Sequence, residues 1–135
     1  MSDSKDAALI VAITRELNLA LDFLQGTSLE EFEHDVMRQH AVAMAVAQTG
    51  EYVKKLSSDF RSGAPEIEWK AMAGIRDWIV HNYEGLDFEE IYDSVTQQAP
   101  DVLQYLQPLV QSLQQEHPLS SADGIDDFLS DSEAV

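Results

Sequence analysis

Apolar residues recur at steps of three and four along most of the chain, and no stretch alternates apolar and polar residues as a half-buried strand does. The first segment carries this spacing through Leu9, Ile13, Leu17 and Leu21, and it ends just before Gly26. Helix-forming segments joined by short connections pack as antiparallel neighbours. The sequence therefore predicts an all-α, antiparallel bundle of five or six helices.

Capping and breaking residues mark the helix boundaries. Ser28 and Glu31 form a capping box, and Asp87 with Glu90 three residues later suggests a second one. Pro100 fits the first turn of a last helix, and Pro108 should kink that helix. The expected segments are a helix over about 35–56, a loop over 57–65, a motif helix over about 67–83, and helices from 87 and from 100 onwards.

Two features describe the expected core. Alanine is frequent over residues 41–47, which suits a helix packed on more than one side and also suits a dimer seam. In the motif helix, we expect both tryptophans to belong to the core rather than to stack on a ligand. The predicted buried stripe of that helix is Trp69, Met72, Ile75, Ile79 and Val80.

A chain of 135 residues suggests one domain, which we place over residues 1–116. The segment from Glu116 to Val135 holds six acidic residues and no basic one. We therefore predict that 117–135 is a disordered acidic tail. Its apolar residues Ile125, Phe128 and Leu129 have helical spacing and could fold onto a partner.

Several classes of protein are excluded or disfavoured. Without cysteine there is no disulfide or thiolate zinc site, and His34, His40 and His117 do not have metal-ligand spacing. No phosphate-cradling glycine loop is present, so we predict neither a metal nor a cofactor. The first residues lack the basic start of a secretory signal and the apolar runs are too short to span a membrane. We expect a soluble cytoplasmic protein.

The most reactive side chains lie together between Ile75 and Tyr83. On a helix, Asp77 and His81 lie about 40° apart, whereas Arg76 and His81 lie about 140° apart. A carboxylate can hold an imidazole in one tautomer, and a guanidinium suits phosphate. Such groups could cleave RNA without metal, provided that the helix frays or a second chain completes the site. The alternative is surface salt bridging beside a half-buried histidine.

Arg76, His81 and Tyr83 form an R-x-x-x-x-H-x-Y pattern that resembles the motif of HepT-type toxins in the HEPN superfamily. The resemblance covers roughly residues 7–113 and is much more specific than the Arg/His core alone. The flanking segments that also match are Gly26-x-Ser28-Leu29-Glu30-Glu31-Phe32-x-x-Asp35, Gly50-Glu51, Pro65-x-Ile67-x-Trp69, Gly85-Leu86-Asp87 and Ile91-Tyr92.

The resemblance implies a HEPN-like homodimer in which two motifs meet across the interface. It implies a metal-independent endoribonuclease that serves as the toxin of a toxin-antitoxin pair. His81 would be the acid-base group, Arg76 would bind the scissile phosphate, and Asp77 would orient one of them. The antitoxin would be a small MntA-type nucleotidyltransferase, and Tyr83 would be an adenylylation site. A structural role for Tyr83, with its ring inward and its hydroxyl in water, is compatible with this.

The charge favours an alternative. The formal net charge is −17, whereas surfaces that bind RNA normally carry a basic footprint. Near the motif in sequence, the basic residues are limited to Lys54, Lys55, Arg61, Lys70 and Arg76. The chain could therefore be an inactive HEPN-like dimer that binds and regulates a nucleotidyltransferase, or its acidity could match a basic partner.

Overall fold

The computed structural model of the protein describes residues 2–116, and this part of the chain is helical with no strand. The α-helices are α1 Ser2–Leu24, α2 Leu29–Glu33, α3 Val36–Lys55, α4 Ser58–Ser62, α5 Trp69–His81, α6 Phe88–Asp93 and α7 Ala99–Glu116. The all-α bundle is confirmed. The predicted acidic tail at 117–135 lies outside the described residues. None of the described helices is long and apolar enough to be a membrane span.

Local chemistry explains the starts of α2 and α3. Gly26 has φ +71°, a left-handed conformation that glycine adopts without a steric cost, and the chain turns there after α1. The Ser28 hydroxyl accepts from the Glu31 amide, and the Glu31 carboxylate accepts from the Ser28 amide, which confirms the capping box. Asp35 then caps α3 by accepting from the Arg38 amide.

The predicted loop over 57–65 is wrong in part, because it contains α4. The Ser57 hydroxyl accepts from the Phe60 amide and so caps this helix. The nearly buried Asp6 carboxylate accepts from the Ser57 amide at 2.9 Å and from the Ser57 hydroxyl at 2.5 Å. This contact spans 51 residues of sequence, so local patterning does not reveal it.

The motif helix is shorter than predicted. α5 ends at His81, and Tyr83 begins a 3-10 turn, Tyr83–Gly85. The predicted burial was also wrong for two residues, since Val80 is 53% exposed and Trp78 is 36% exposed. They come directly before and after the buried Ile79 in the sequence, so their side chains flank the face that packs on α3. A helix that packs mainly on one neighbour buries a stripe narrower than its full apolar set.

The predicted separate helices from 87 and 100 form a nearly continuous element over Phe88–Glu116, joined by a π-helical turn at Ser94–Gln98. The Ala99 amide donates to the Ser94 carbonyl, five residues back. Pro100 has no amide hydrogen, so the α-helical hydrogen bond that would follow cannot form. Pro108 lies inside α7, and the kink expected there stays a prediction.

The core has two parts, which share the long helices. One packs α1 against α7 and the end of α3, and it includes the fully buried Ile13, Val53 and Leu106. The other includes Phe32 and Ile91 and lies around α2, α6 and the middle of α3. α3 contacts α1 on one side and α5 on another, as its alanine content predicts.

Candidate functional site

Arg76 is positioned by an unusually close approach of α5 to α3. A β-carbon placed on Gly50 would lie 2.5 Å from the Arg76 β-carbon and 2.7 Å from the Met72 carbonyl oxygen. Real β-carbons do not come so close to neighbouring atoms, so this contact requires glycine. Gly50, with Glu51 next to it, therefore fixes where the Arg76 side chain starts on α5 relative to α3.

A set of ion pairs holds the Arg76 side chain. Arg76 Nε lies 3.0 Å from Glu51 Oε2, and Nη1 donates to Asp77 Oδ1 at 3.0 Å. Lys54 Nζ donates to the same Asp77 oxygen at 2.6 Å. The hydrogen bond from Lys54, followed by that from Arg76, lowers the pKa of Asp77. The carboxylate thus stays charged and keeps the guanidinium oriented.

A cleft of about 340 Å³ lies beside these ion pairs. Its walls come from α3, α5 and the 3-10 turn, and they include Arg76, Glu51, His40 and Tyr83. A cleft of this size accommodates a small ligand or one unit of a polymer. Its apolar rim is exposed, with Met44 61% and Val80 53% accessible.

Tyr83 lines the cleft from the 3-10 turn, and the centroid of its ring lies 5.0 Å from the centroid of the His40 ring. The Tyr83 hydroxyl oxygen is buried and has no hydrogen-bond partner within the described residues. Burial raises the pKa of this phenol. The prediction of a hydroxyl in water is therefore wrong.

His81 ends α5 and has an exposed side chain. It does not line the cleft that contains Arg76 and Tyr83. The structure thus brings Arg76 and Tyr83 to one cleft, with Asp77 bound to Arg76 outside its lining, and it leaves His81 away from Arg76 on the helix. This agrees with the angle of about 140° expected between Arg76 and His81 on a regular helix.

Sequence reasoning missed the parts played by His40 and Glu51. The sequence offers His40 only as a candidate metal ligand and Glu51 only as part of a family pattern. The one useful signal was Gly50, because a glycine inside a helix often marks a close helix contact. That contact would have suggested that the next residue, Glu51, meets α5. Nothing local places His40 beside Tyr83, 43 positions later.

Comparison with known proteins adds the family. The profile described as "Ribonuclease HepT-like" matches residues 13–109, which is most of the chain. The chain belongs to the HepT-like ribonuclease family. The resemblance inferred from the motif is thereby confirmed, and a ribonuclease is the activity class that goes with this family.

Two relatives show how widely the similarity extends. The chain is 30% identical over 109 residues to a Methanocaldococcus jannaschii protein named "Putative RNase MJ0127", covering 81% of this chain and 90% of that one. It is 32% identical over 90 residues to a Thermococcus cleftensis protein named "Probable ribonuclease HepT", covering 67% and 82%. No solved structure matches the chain.

Proposed function

We propose that the protein is a metal-independent endoribonuclease that works as a homodimer in the cytoplasm and serves as the toxin of a toxin-antitoxin pair. The observation that carries the proposal is the preorganised Arg76. Gly50, Glu51 and Asp77 hold this guanidinium at the edge of a cleft in a HepT-like ribonuclease family member. Preorganised cations stabilise the charge that develops on a phosphoryl group.

The chemistry assigns distinct roles to the motif residues. Arg76 binds the scissile phosphate, and Asp77 keeps the guanidinium in place. His81 moves a proton during attack of the 2′-hydroxyl on phosphorus and departure of the 5′ oxygen. The products of such a reaction are a 2′,3′-cyclic phosphate and a 5′-hydroxyl.

A second copy of the chain would complete the site. His81 and Arg76 of one chain point to different faces, so a pair of chains is needed to bring one of each to the same phosphate. Apolar residues exposed on α3 and α5 support such pairing, since they would be buried in an interface. They are Val36, Met37, Met44 and Val80.

The antitoxin in this proposal is an MntA-type nucleotidyltransferase that adenylylates Tyr83. The added phosphate would meet Arg76 in the cleft, and the adenine would fill space that RNA needs. Because the Tyr83 hydroxyl is buried in the free chain, the side chain must swing out before it reacts. Mass spectrometry after co-expression with such an enzyme should show one added AMP moiety on Tyr83, and none on Tyr83→Phe.

Cleavage of RNA in EDTA by purified protein tests the proposal. Wild type should cut, whereas Arg76→Ala and His81→Ala should each lose about 10²- to 10⁴-fold in rate while remaining dimers. Lys70→Ala, an exposed change on the same helix, is the control and should retain activity. If the wild-type protein cuts none of a broad panel of RNAs, the proposed ribonuclease activity is wrong.

A second candidate is an inactive HEPN-like dimer that binds and regulates a nucleotidyltransferase. The favouring observation is that the cations near the cleft are already paired with acids. Arg76 and Lys54 are bound to Glu51 and Asp77. This dimer would form a stable complex with the nucleotidyltransferase and show no cleavage in the same assay.

A further inference from the structure

His40 is held in one tautomer by its own helix. Its Nδ1 lies 2.9 Å from the Val36 carbonyl oxygen. A carbonyl can only accept a hydrogen bond, so Nδ1 carries the hydrogen of the neutral ring. The Nε2 atom then keeps a lone pair and is able to take up a proton.

The cleft contains His40 but not His81. His40 has an exposed side chain, its ring lies against Tyr83, and it shares the cleft with Arg76. The charged or titratable groups that face the cleft are Glu51 from α3, Arg76 from α5 and Tyr83 from the 3-10 turn. Glu51 is already paired with Arg76, which leaves the His40 imidazole as the group suited to accept a proton there.

Cleavage of RNA without a metal requires two proton transfers. One proton leaves the 2′-hydroxyl as its oxygen attacks phosphorus, and another reaches the 5′ oxygen as the phosphorus–oxygen bond breaks. A single histidine cannot be both base and acid in the same concerted step. If His81 carries out one of these two proton transfers, the other still lacks an assigned residue.

We propose that His40 is the general base of this site, acting on the 2′-hydroxyl of an RNA phosphodiester. This rests on the proposed ribonuclease function. His40 Nε2 takes the 2′ proton, the 2′ oxygen forms its bond to phosphorus, and Arg76 stabilises the extra negative charge. The bond from phosphorus to the 5′ oxygen breaks, and protonated His81 of the second chain supplies that oxygen with its proton. His40 ends protonated and His81 neutral, so charge and protons balance.

His34 provides a matched control for His40. It also has an exposed side chain, and its Nδ1 lies 2.9 Å from the Glu30 carbonyl oxygen, one helical turn back. It does not line the cleft. His40→Gln should slow cleavage by about 10²- to 10³-fold, whereas His34→Gln should leave the rate unchanged.

His40→Phe separates proton transfer from packing, because phenylalanine can keep a ring against Tyr83 but cannot accept a proton. It should be as slow as His40→Gln. In wild type the rate should fall at low pH, since a protonated His40 is no base. That fall should disappear in His40→Gln, while the fall at high pH, which reports loss of the proton from His81, should remain.

The outcomes separate the two proposals. If wild type cleaves and His40→Gln matches His34→Gln, the base assignment is wrong and the ribonuclease stands. A slow His40→Gln with an unchanged pH profile, or an active His40→Phe, would give His40 a positioning role only and would overturn the assignment. If wild type cleaves no RNA, the ribonuclease and this inference both fall.

Discussion

Arg76 and His81 lie five positions apart on α5, yet their surroundings differ strongly. Arg76 contacts α3 through Gly50 and is held by two carboxylates. His81 is exposed at the last turn of the helix. The first residue is positioned by its own chain, whereas the second is available to another molecule. In the proposed dimer, each chain would supply an oriented Arg76 to one site and an exposed His81 to the other.

The largest expected effect comes from mixing inactive variants. Arg76→Ala and His81→Ala dimers should each be about 10²- to 10⁴-fold slower than wild type. After the two are exchanged, roughly a quarter of wild-type activity should return, because half of the dimers carry one intact composite site. Single-turnover cleavage measures this. If Arg76 and His81 of the same chain act together, mixing restores nothing.

Two glycines test how α3 positions Arg76. Gly50→Ala should destabilise the protein by about 1–3 kcal/mol and reduce cleavage, because the new methyl group overlaps Arg76 and the Met72 carbonyl. A β-carbon placed on Gly74 would meet no neighbouring side chain or helix within 4 Å. Gly74→Ala should therefore stabilise by about 0.5–1 kcal/mol through helix propensity. Urea unfolding gives both values, and equal effects would contradict the close contact.

The apolar rim of the cleft tests the dimer. Met44→Glu should weaken dimerisation by about tenfold or more, because a buried carboxylate without a partner costs more than about 1.4 kcal/mol. The unfolding of the monomer should change little, since Met44 is 61% exposed. Gln107→Glu adds the same charge at an exposed position on α7 and is the control. Sedimentation equilibrium measures both, and identical dissociation constants would place the interface elsewhere.

The smallest effect concerns the acid that orients Arg76. The pKa of Asp77 is lowered, chiefly by Lys54 and then by Arg76. Because this pKa is lower in the folded protein than in the unfolded chain, the contacts of Asp77 stabilise the fold at pH values above the unfolded-state pKa. That stability is lost as the pH falls through the folded-state pKa. Lys54→Met removes the main cause of the lowered pKa, so the pKa of Asp77 should rise towards its ordinary value. NMR titration measures this rise.

Asp35 is the internal reference for that titration. Its pKa is also lowered, by hydrogen bonds from the Arg38 backbone and side chain. These contacts do not involve Lys54, so the titration of Asp35 should stay unchanged in Lys54→Met. A shift of both carboxyl groups would indicate a general change in the fold rather than loss of one ion pair.

The local patterns of the chain predicted most of the fold. The capping box at Ser28 formed as expected and α3 begins beside Asp35, because both features depend on residues three positions apart. Alanine content predicted that α3 packs on more than one side. The π-helical turn was missed, although Pro100 was its signal, because a missing amide can end a helix or merely shift its hydrogen bonds.

The amino-acid sequence alone predicts the helical class, the helix caps and the pattern of Arg76, His81 and Tyr83 on which the resemblance to the family rests. These depend on residues near one another in the chain. The packing of the helices determines which groups meet: Glu51 holds Arg76, His40 rather than His81 shares its cleft, and the Tyr83 hydroxyl is buried. Each of these facts depends on how α3 approaches α5, and periodicity reports which face of a helix is apolar but not which residue of another helix it meets.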